Sequence, residues 1–175
     1  NRRALSRDEM SARQLLVQWG SPLGLVPYSD DIGNLFLRYP GKDADAAPVV
    51  TGSHIDTQPT GGRFDGSFGV LAGLEMLEAM HAAQFKPERS IEIVAWTNEE
   101  GSRFAPGMMG SALFRGQRDL ESMLQVEDLA GISVRESVAA VRAAEPDIAS
   151  RSLGFPIAAY VEAHIEQGPI LEMQR

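Results

Sequence analysis

Between Pro48 and Thr97 the chain runs strand, glycine-rich loop, helix, strand, and that order leaves few folds open. Pro48-Val49-Val50-Thr51-Gly52-Ser53 reads as a buried strand that leads straight into His54. Ser67 to Met80 is apolar over most of a helix circumference, with Glu75 and Glu78 marking the wet stripe, so a deeply packed helix is predicted. Ile91 to Thr97 is β-branched and aromatic, as strands are, and Glu99 and Glu100 follow it. Around this unit, the Ser6–Glu9 spacing predicts a capping box and a helix with Ala12, Leu15, Leu16 and Trp19 on one face, ended by Gly20. Asp31 to Asn34 reads as a turn into a strand over Leu35 to Tyr39, and short helical pieces are predicted over Gly110–Gly116 and Leu120–Leu124. Ser133–Glu136 repeats the box spacing ahead of Val134, Val138 and Val141, and Ile157 to Ile165 reads as the last strand. Trp19 and Trp96 read as core. Strands alternating with helices imply an α/β fold, a three-layer sandwich with a mostly parallel mixed sheet. In such sheets function collects beyond the C-terminal ends of the strands.

Composition narrows the function classes. The 175 residues, 43% apolar, are enough for one domain core, and no repeat or linker divides them. With 24 acids against 16 bases, a net charge of −8 and no basic run, the chain is not expected to follow a nucleic-acid backbone. The absence of cysteine removes disulfides, thiolate nucleophiles and iron–sulfur clusters, and leaves imidazole and carboxylate as the available metal ligands. Apolar runs are too short to span a bilayer, and Asn1-Arg2-Arg3 opens a polar stretch with no hydrophobic signal region. The expectation is therefore a cytoplasmic protein without membrane partners.

Four clusters carry chemistry, and each has an ordinary structural reading beside it. His54 and Asp56 project to one side of an extended chain, as a metal-binding imidazole backed by a carboxylate would, or as a buried structural pair would. Asp65, in Gly61-Gly62-Arg63-Phe64-Asp65-Gly66, is either a ligand reached through a close-passing backbone or a cap on the next helix. Glu99 and Glu100 repel each other unless a cation or a proton intervenes, or they form a solvated acidic turn; Trp96 and Phe104 nearby argue for partial burial. His164, in Ala163-His164-Ile165-Glu166-Gln167-Gly168-Pro169, is a ligand or a capping residue, and Glu162 on the same face is placed to orient it or to face solvent. Jointly they offer nitrogen and oxygen ligands for divalent metals, and a shared carboxylate would bring two ions about 3.5–4 Å apart. His81 reads as a surface histidine near a helix C-terminus, Arg63 and Arg103 as pocket residues or neutralisers of the acids, and Met108-Met109 as packing.

The motifs Gly52-Ser53-His54-Ile55-Asp56-Thr57-Gln58-Pro59, Gly61-Gly62-Arg63-Phe64-Asp65-Gly66, Thr97-Asn98-Glu99-Glu100-Gly101-Ser102-Arg103-Phe104 and His164-Ile165-Glu166-Gln167-Gly168-Pro169 occur in this order over nearly the whole chain. They resemble the amidase branch of the dinuclear-metal M20 peptidase family: N-carbamoyl-L-amino-acid hydrolases, β-ureidopropionases and allantoate amidohydrolases. The resemblance implies a zinc-peptidase-like catalytic domain of which residues 1–175 are the N-terminal part, with a lid and dimerisation domain and the rest of the catalytic domain beyond. It implies that His54 and His164 bind one ion, that Asp65 bridges two and that Glu100 binds the second. Glu99 would be the general base, Asp56 the carboxylate behind His54, and Gln167 a substrate contact. The ions would be two divalent cations, zinc, manganese, cobalt or nickel. A further metal-binding histidine expected downstream is not among these residues, so the chain alone is expected to be inactive. A cis peptide is implied between Asp65 and Gly66. The substrate implied is a small ureido or carbamoyl amino acid, with Gln58-Pro59 and Phe64 favouring carbamoyl amino acids over allantoate, and the full-length protein a homodimer through its lid. The rivals are a metallopeptidase of the same superfamily and a non-catalytic binding protein on the same scaffold.

Overall fold

The computed structural model describes residues 1–174. Its helices are α1 (Arg7–Gly20), α2 (Ser67–Ala82), α3 (Met109–Phe114), α4 (Leu120–Leu124), α5 (Val134–Ala144) and α6 (Ile170–Met173). Its strands are β1 (Val26–Ser29), β2 (Leu35–Tyr39), β3 (Val49–His54), β4 (Ile91–Trp96), β5 (Ala149–Ser150) and β6 (Ala159–Val161). They form one six-stranded sheet in the order β5-β1-β2-β4-β3-β6. β3 runs parallel to β4, from Val49↔Ile91 to His54↔Trp96, and parallel to β6; β5 is parallel to β1, while β2 is antiparallel to both its neighbours. The fold is the mixed α/β sheet flanked by helices that the alternation of elements implies.

Alternation along the strands separates the two faces. Leu35, Leu37, Ile93 and Ala95 pack with Leu16 of α1 and Val70, Leu74 and Leu77 of α2. Phe36, Val50, Val94 and Trp96 point the other way and pack with Phe114 of α3. Each such buried side chain contributes about 1.5–3 kcal/mol through removal from water. A third cluster joins Leu5 and Ile32 to Phe104, Met109, Leu113, Leu124 and the buried Val134, Val138 and Val141 of α5. Ser133 and Glu136 form the full reciprocal box at the start of α5. At α1 only half of it forms: Ser6 accepts from the Glu9 backbone, but the Glu9 carboxylate accepts from Leu5 instead, at 2.5 Å.

Several expectations need correction. The buried face of α1 carries Glu9, Arg13, Leu16 and Gly20, whereas Leu15 and Trp19 are 40% and 47% exposed, because the helix is docked through the Arg13–Glu145 ion pair. Trp96 is core and Trp19 is not. Helix α2 is buried on the sheet side only, leaving Phe68, Leu71 and Met76 exposed. The last strand is Ala159–Val161, so His164 lies in the loop beyond it. Of the methionine pair, Met109 is buried and Met108 is exposed. Among the described residues no helix is long and apolar enough to cross a membrane.

Candidate metal centre

The parallel strands β4, β3 and β6 lie side by side and end at the same edge of the sheet, at Trp96, His54 and Val161. His54 is 1% exposed. Its Nδ1 stands 2.9 Å from the backbone oxygen of Asp56 and 3.5 Å from Asp56 Oδ1. Hydrogen bonding there makes Nδ1 the donor and turns the lone pair of Nε2 into the site. Nε2 faces Asp65 Oδ1 at 3.7 Å and Glu99 Oε2 at 3.4 Å. Asp65, just before α2, is brought there by Gly66, which takes a positive φ of 62°. A Cβ on Gly66 would lie 2.4 Å from the His54 ring, so backbone packs directly on the imidazole. The peptide between Asp65 and Gly66 is trans, contrary to expectation; among the described residues the cis bond is Ala105-Pro106, and the turn at Asp65 is made by the positive-φ glycine.

His164 completes the group. Its Nε2 is 3.3 Å from Asp65 Oδ1, and its ring is 6.0 Å from that of His54, inclined by 28°. Gly69 allows this approach, since a Cβ there would meet the Ala163 backbone oxygen at 2.4 Å. Ligand atoms of His54, Asp65 and His164 all fall within 4.8 Å of one another. His54 Nε2 and Asp65 Oδ1 are both buried without a hydrogen-bond partner. Leaving such atoms unpaired costs about 1–3 kcal/mol each, and a divalent cation between two imidazoles and a carboxylate satisfies both. The three residues can hold a metal. Gln167 donates its side-chain amide to the other oxygen of Asp65.

The electrostatics favour positive charge. Burial pulls the His54 pKa down, but contact with Asp56, its charge and that of Glu99 outweigh this and raise it to about 9. That proton has to leave before Nε2 can ligate a metal, so cation binding at His54 is linked to proton release. Glu99 has its pKa raised: burial raises it, His54 opposes, and Asp56, Glu100 and Asp65 add to the rise. Asp56, fully buried, accepts from the backbone N–H groups of both Glu99 and Glu100 and so sets their turn.

Glu100 stands apart from the cluster. Its Oε1 accepts from the Gln58 backbone at 3.3 Å and its Oε2 from the Gln58 side chain at 2.9 Å. Glu162 does not orient His164; it accepts from Ser53 Oγ at 2.5 Å and from Tyr160 Oη at 2.6 Å, and Tyr160 in turn accepts from Trp96 Nε1. This network ties β6 to β3 and β4; Tyr160 lies outside every motif, and the motif around Ser53 does not indicate its partner. Arg103 pairs with Asp128 and stacks on Phe104, and Arg63 lies over Phe64, so neither neutralises the site acids. Beside Glu99 a cleft of ≈ 520 Å³ opens between Trp96, Met108, Phe114 and Tyr160. His81 is exposed in the last turn of α2.

A parallel-strand edge carrying imidazoles and carboxylates defines the class, and the family follows from comparison. The model of peptidase family M20/M25/M40 matches residues 50–175, and the chain belongs to that family. It is 42% identical over 175 residues to the N-carbamoyl-L-amino-acid amidohydrolase of Rhizobium meliloti, covering 99% of this chain and 41% of that protein. It is 36% identical over 170 residues to the ureidoglycolate hydrolase of Arabidopsis thaliana, covering 94% and 36%. A crystal structure of a hydantoinase/carbamoylase family amidase from Burkholderia ambifaria matches with a TM-score of 0.93 at 47% identity, over 99% of this chain and 42% of that one. The chain thus spans about two fifths of the length of these relatives.

Proposed function

We propose that these residues form the N-terminal part of the catalytic domain of a metal-dependent amidohydrolase that cleaves the carbamoyl C–N bond of N-carbamoyl amino acids. The products are the amino acid, ammonia and carbon dioxide. The observation that carries the reading is the buried, unpaired couple His54 Nε2 and Asp65 Oδ1, 3.7 Å apart, with His164 Nε2 3.3 Å from the same oxygen. The names of the relatives support the choice of bond and substrate.

In this reading His54, Asp65 and His164 would hold one divalent ion, zinc, manganese, cobalt or nickel, and Asp65 and Glu100 would contribute to a second together with residues outside this chain. When bound, the ions would polarise the carbamoyl carbonyl and acidify nearby water. Glu99 takes a proton from the attacking water, whose oxygen bonds to the carbamoyl carbon. As the C–N bond breaks, Glu99 returns that proton to the departing nitrogen, and the carbamic acid left behind loses carbon dioxide to complete the products. A raised carboxyl pKa suits a group that both takes and returns a proton near neutrality. Asp56 aims Glu99 through its backbone, and Gln167 steadies Asp65 while facing substrate. The lid, the homodimer contact and the remaining ligands belong to other parts of the full-length protein.

The test is a substrate panel on the full-length, metal-reconstituted protein: carbamoyl-α-amino acids, carbamoyl-β-alanine, allantoate, ureidoglycolate and dipeptides. Fastest turnover is expected on carbamoyl-α-amino acids, and fastest turnover on dipeptides overturns the reading. Glu99→Gln should abolish turnover with metal content unchanged; retained turnover removes Glu99 from the role of base.

A further inference from the structure

Two chain segments bring the first cation ligands together, and the chain between them does little to hold them in place. His54 is the last residue of β3, Asp65 stands just before α2, and residues 59–64 between them are exposed and carry Gly61 and Gly62. A cross-connection comes from the other end of the sequence. Arg2 pairs its backbone with Thr57 in both directions, N–H to Thr57 Oγ1 at 2.9 Å and carbonyl from Thr57 N–H at 2.8 Å. Its guanidinium then donates from Nε to the Ile55 carbonyl at 3.0 Å and from Nη2 to Ser67 Oγ at 2.9 Å. Ile55 follows His54 directly, and Ser67 opens α2 two residues beyond Asp65. One planar side chain therefore bolts the carrier of the imidazole to the carrier of the carboxylate. Neighbouring contacts hold the strap down, Asn1 on the Pro59 carbonyl and Arg103 on the Ala4 carbonyl.

We propose that Arg2 is a positioning residue for the cation site, fixing the separation of His54 Nε2 and Asp65 Oδ1. The role rests on the reading above, in which those atoms ligate a divalent ion. Metal–ligand distances cluster within about 0.2 Å of standard values, so a slip of α2 against the end of β3 weakens binding of the ion. Arg2 lies outside residues 50–175 that match the family model, and no site motif includes it. The rigid fork matters: one edge of the guanidinium reaches two acceptors at once, and a lysine ammonium on a flexible stem does not reproduce that geometry.

The experiment titrates manganese(II) into the metal-free full-length protein, reading free ion by electron paramagnetic resonance, for the parent, Arg2→Met and Arg2→Lys. Urea midpoints are measured on the same samples. The dissociation constant of the tighter step is expected to rise about tenfold in Arg2→Met, the low end of the cost of outer-shell changes, and by less in Arg2→Lys. Should Arg2→Met not fold, Arg2→Lys alone must still show a weaker tight step. A lowered urea midpoint with an unchanged manganese dissociation constant overturns the proposal, because a purely structural strap gives that result. Asp65→Asn separates the two levels of inference. If it keeps the parent affinity, the cation reading fails and the role of Arg2 with it; if it loses the ion while both Arg2 variants keep it, only the role of Arg2 fails.

Discussion

Asp56 Oδ1 accepts the backbone N–H of Glu99 and its Oδ2 that of Glu100, each at 3.1 Å, so one buried carboxylate aims both acids. Asp56→Asn keeps the shape but turns an NH₂ toward one of the two N–H groups. Hydrogen bonds to a charged acceptor contribute about 1.5–3 kcal/mol, and the clash adds to the loss. We expect urea unfolding to show a deficit of about 2 kcal/mol and kcat of the full-length protein to fall about a hundredfold, on the scale of losing a positioned acid–base group. Parent-like stability and turnover in Asp56→Asn would show that the turn is held by other contacts.

Gly66 admits no side chain. A methyl there needs a sparsely populated backbone, φ 62° with ψ −47°, which costs about 1–3 kcal/mol, and it meets the His54 ring at 2.4 Å. Gly66→Ala should therefore lower stability by more than the backbone cost alone and abolish tight manganese binding, because the imidazole must move. Metal titration beside urea unfolding checks both halves, and intact binding would mean that the turn can re-form around a methyl.

How much of this was legible in sequence follows from where the information lies. Strand β4 is apolar but for Glu92, and β3 opens on Val49-Val50 ahead of small residues, so both are readable as strands and the site residues at their ends can be named in advance. β1 carries no strand signal, since Val26-Pro27-Tyr28-Ser29 contains a proline and is four residues long, and β5 is two residues, too short for any periodicity. The buried face of α1 departs from its local apolar pattern because it is fixed by Arg13 reaching Glu145, a partner 132 residues away that no local pattern encodes. Within the site, His54, Asp65 and His164 are found together. Gln58 on Glu100, Glu162 on Ser53 and Arg2 across two loops are contacts between distant segments, invisible to spacing.

Stability should depend on pH through Glu9. Burial, with the charge of Asp56 adding to it, raises its pKa from 4.5 to about 7 against the opposing Arg13. A carboxyl whose pKa is higher folded than unfolded holds its proton more tightly in the fold. Its contribution is complete below pH 4.5 and is lost as pH rises through about 7. At about 1.4 kcal/mol per pKa unit the loss is at most about 3 kcal/mol. Glu9→Gln cannot ionise and still offers an oxygen to Leu5, so it should gain on the parent between pH 5 and pH 8. Asp30, raised by burial to about 6, titrates in both proteins and cancels from the difference. Urea unfolding of both proteins at the two pH values checks this, and a stability gap that does not change with pH removes Glu9 as the titrating group.

The clasp between α1 and the end of α5 gives the largest expected change. Arg13 donates from Nε and Nη2 to the two oxygens of Glu145 at 2.9 and 2.8 Å, and from Nη1 to the Gly33 carbonyl at 2.7 Å. Both side chains are almost wholly buried, 2% and 4% exposed. The desolvation of each charge is offset only by the other, so removing one leaves the partner uncompensated, at about 3–5 kcal/mol. Arg13→Met should fall in that range, while Arg13→Met combined with Glu145→Leu should recover most of it, since matched apolar groups need no such compensation. Arg13 also opposes the rise of the Glu9 pKa, so Arg13→Met should move the loss of stability with pH to higher pH. A double-mutant cycle by urea unfolding decides the matter: additive losses mean that the helix is held by packing of Leu16 and its neighbours rather than by the pair.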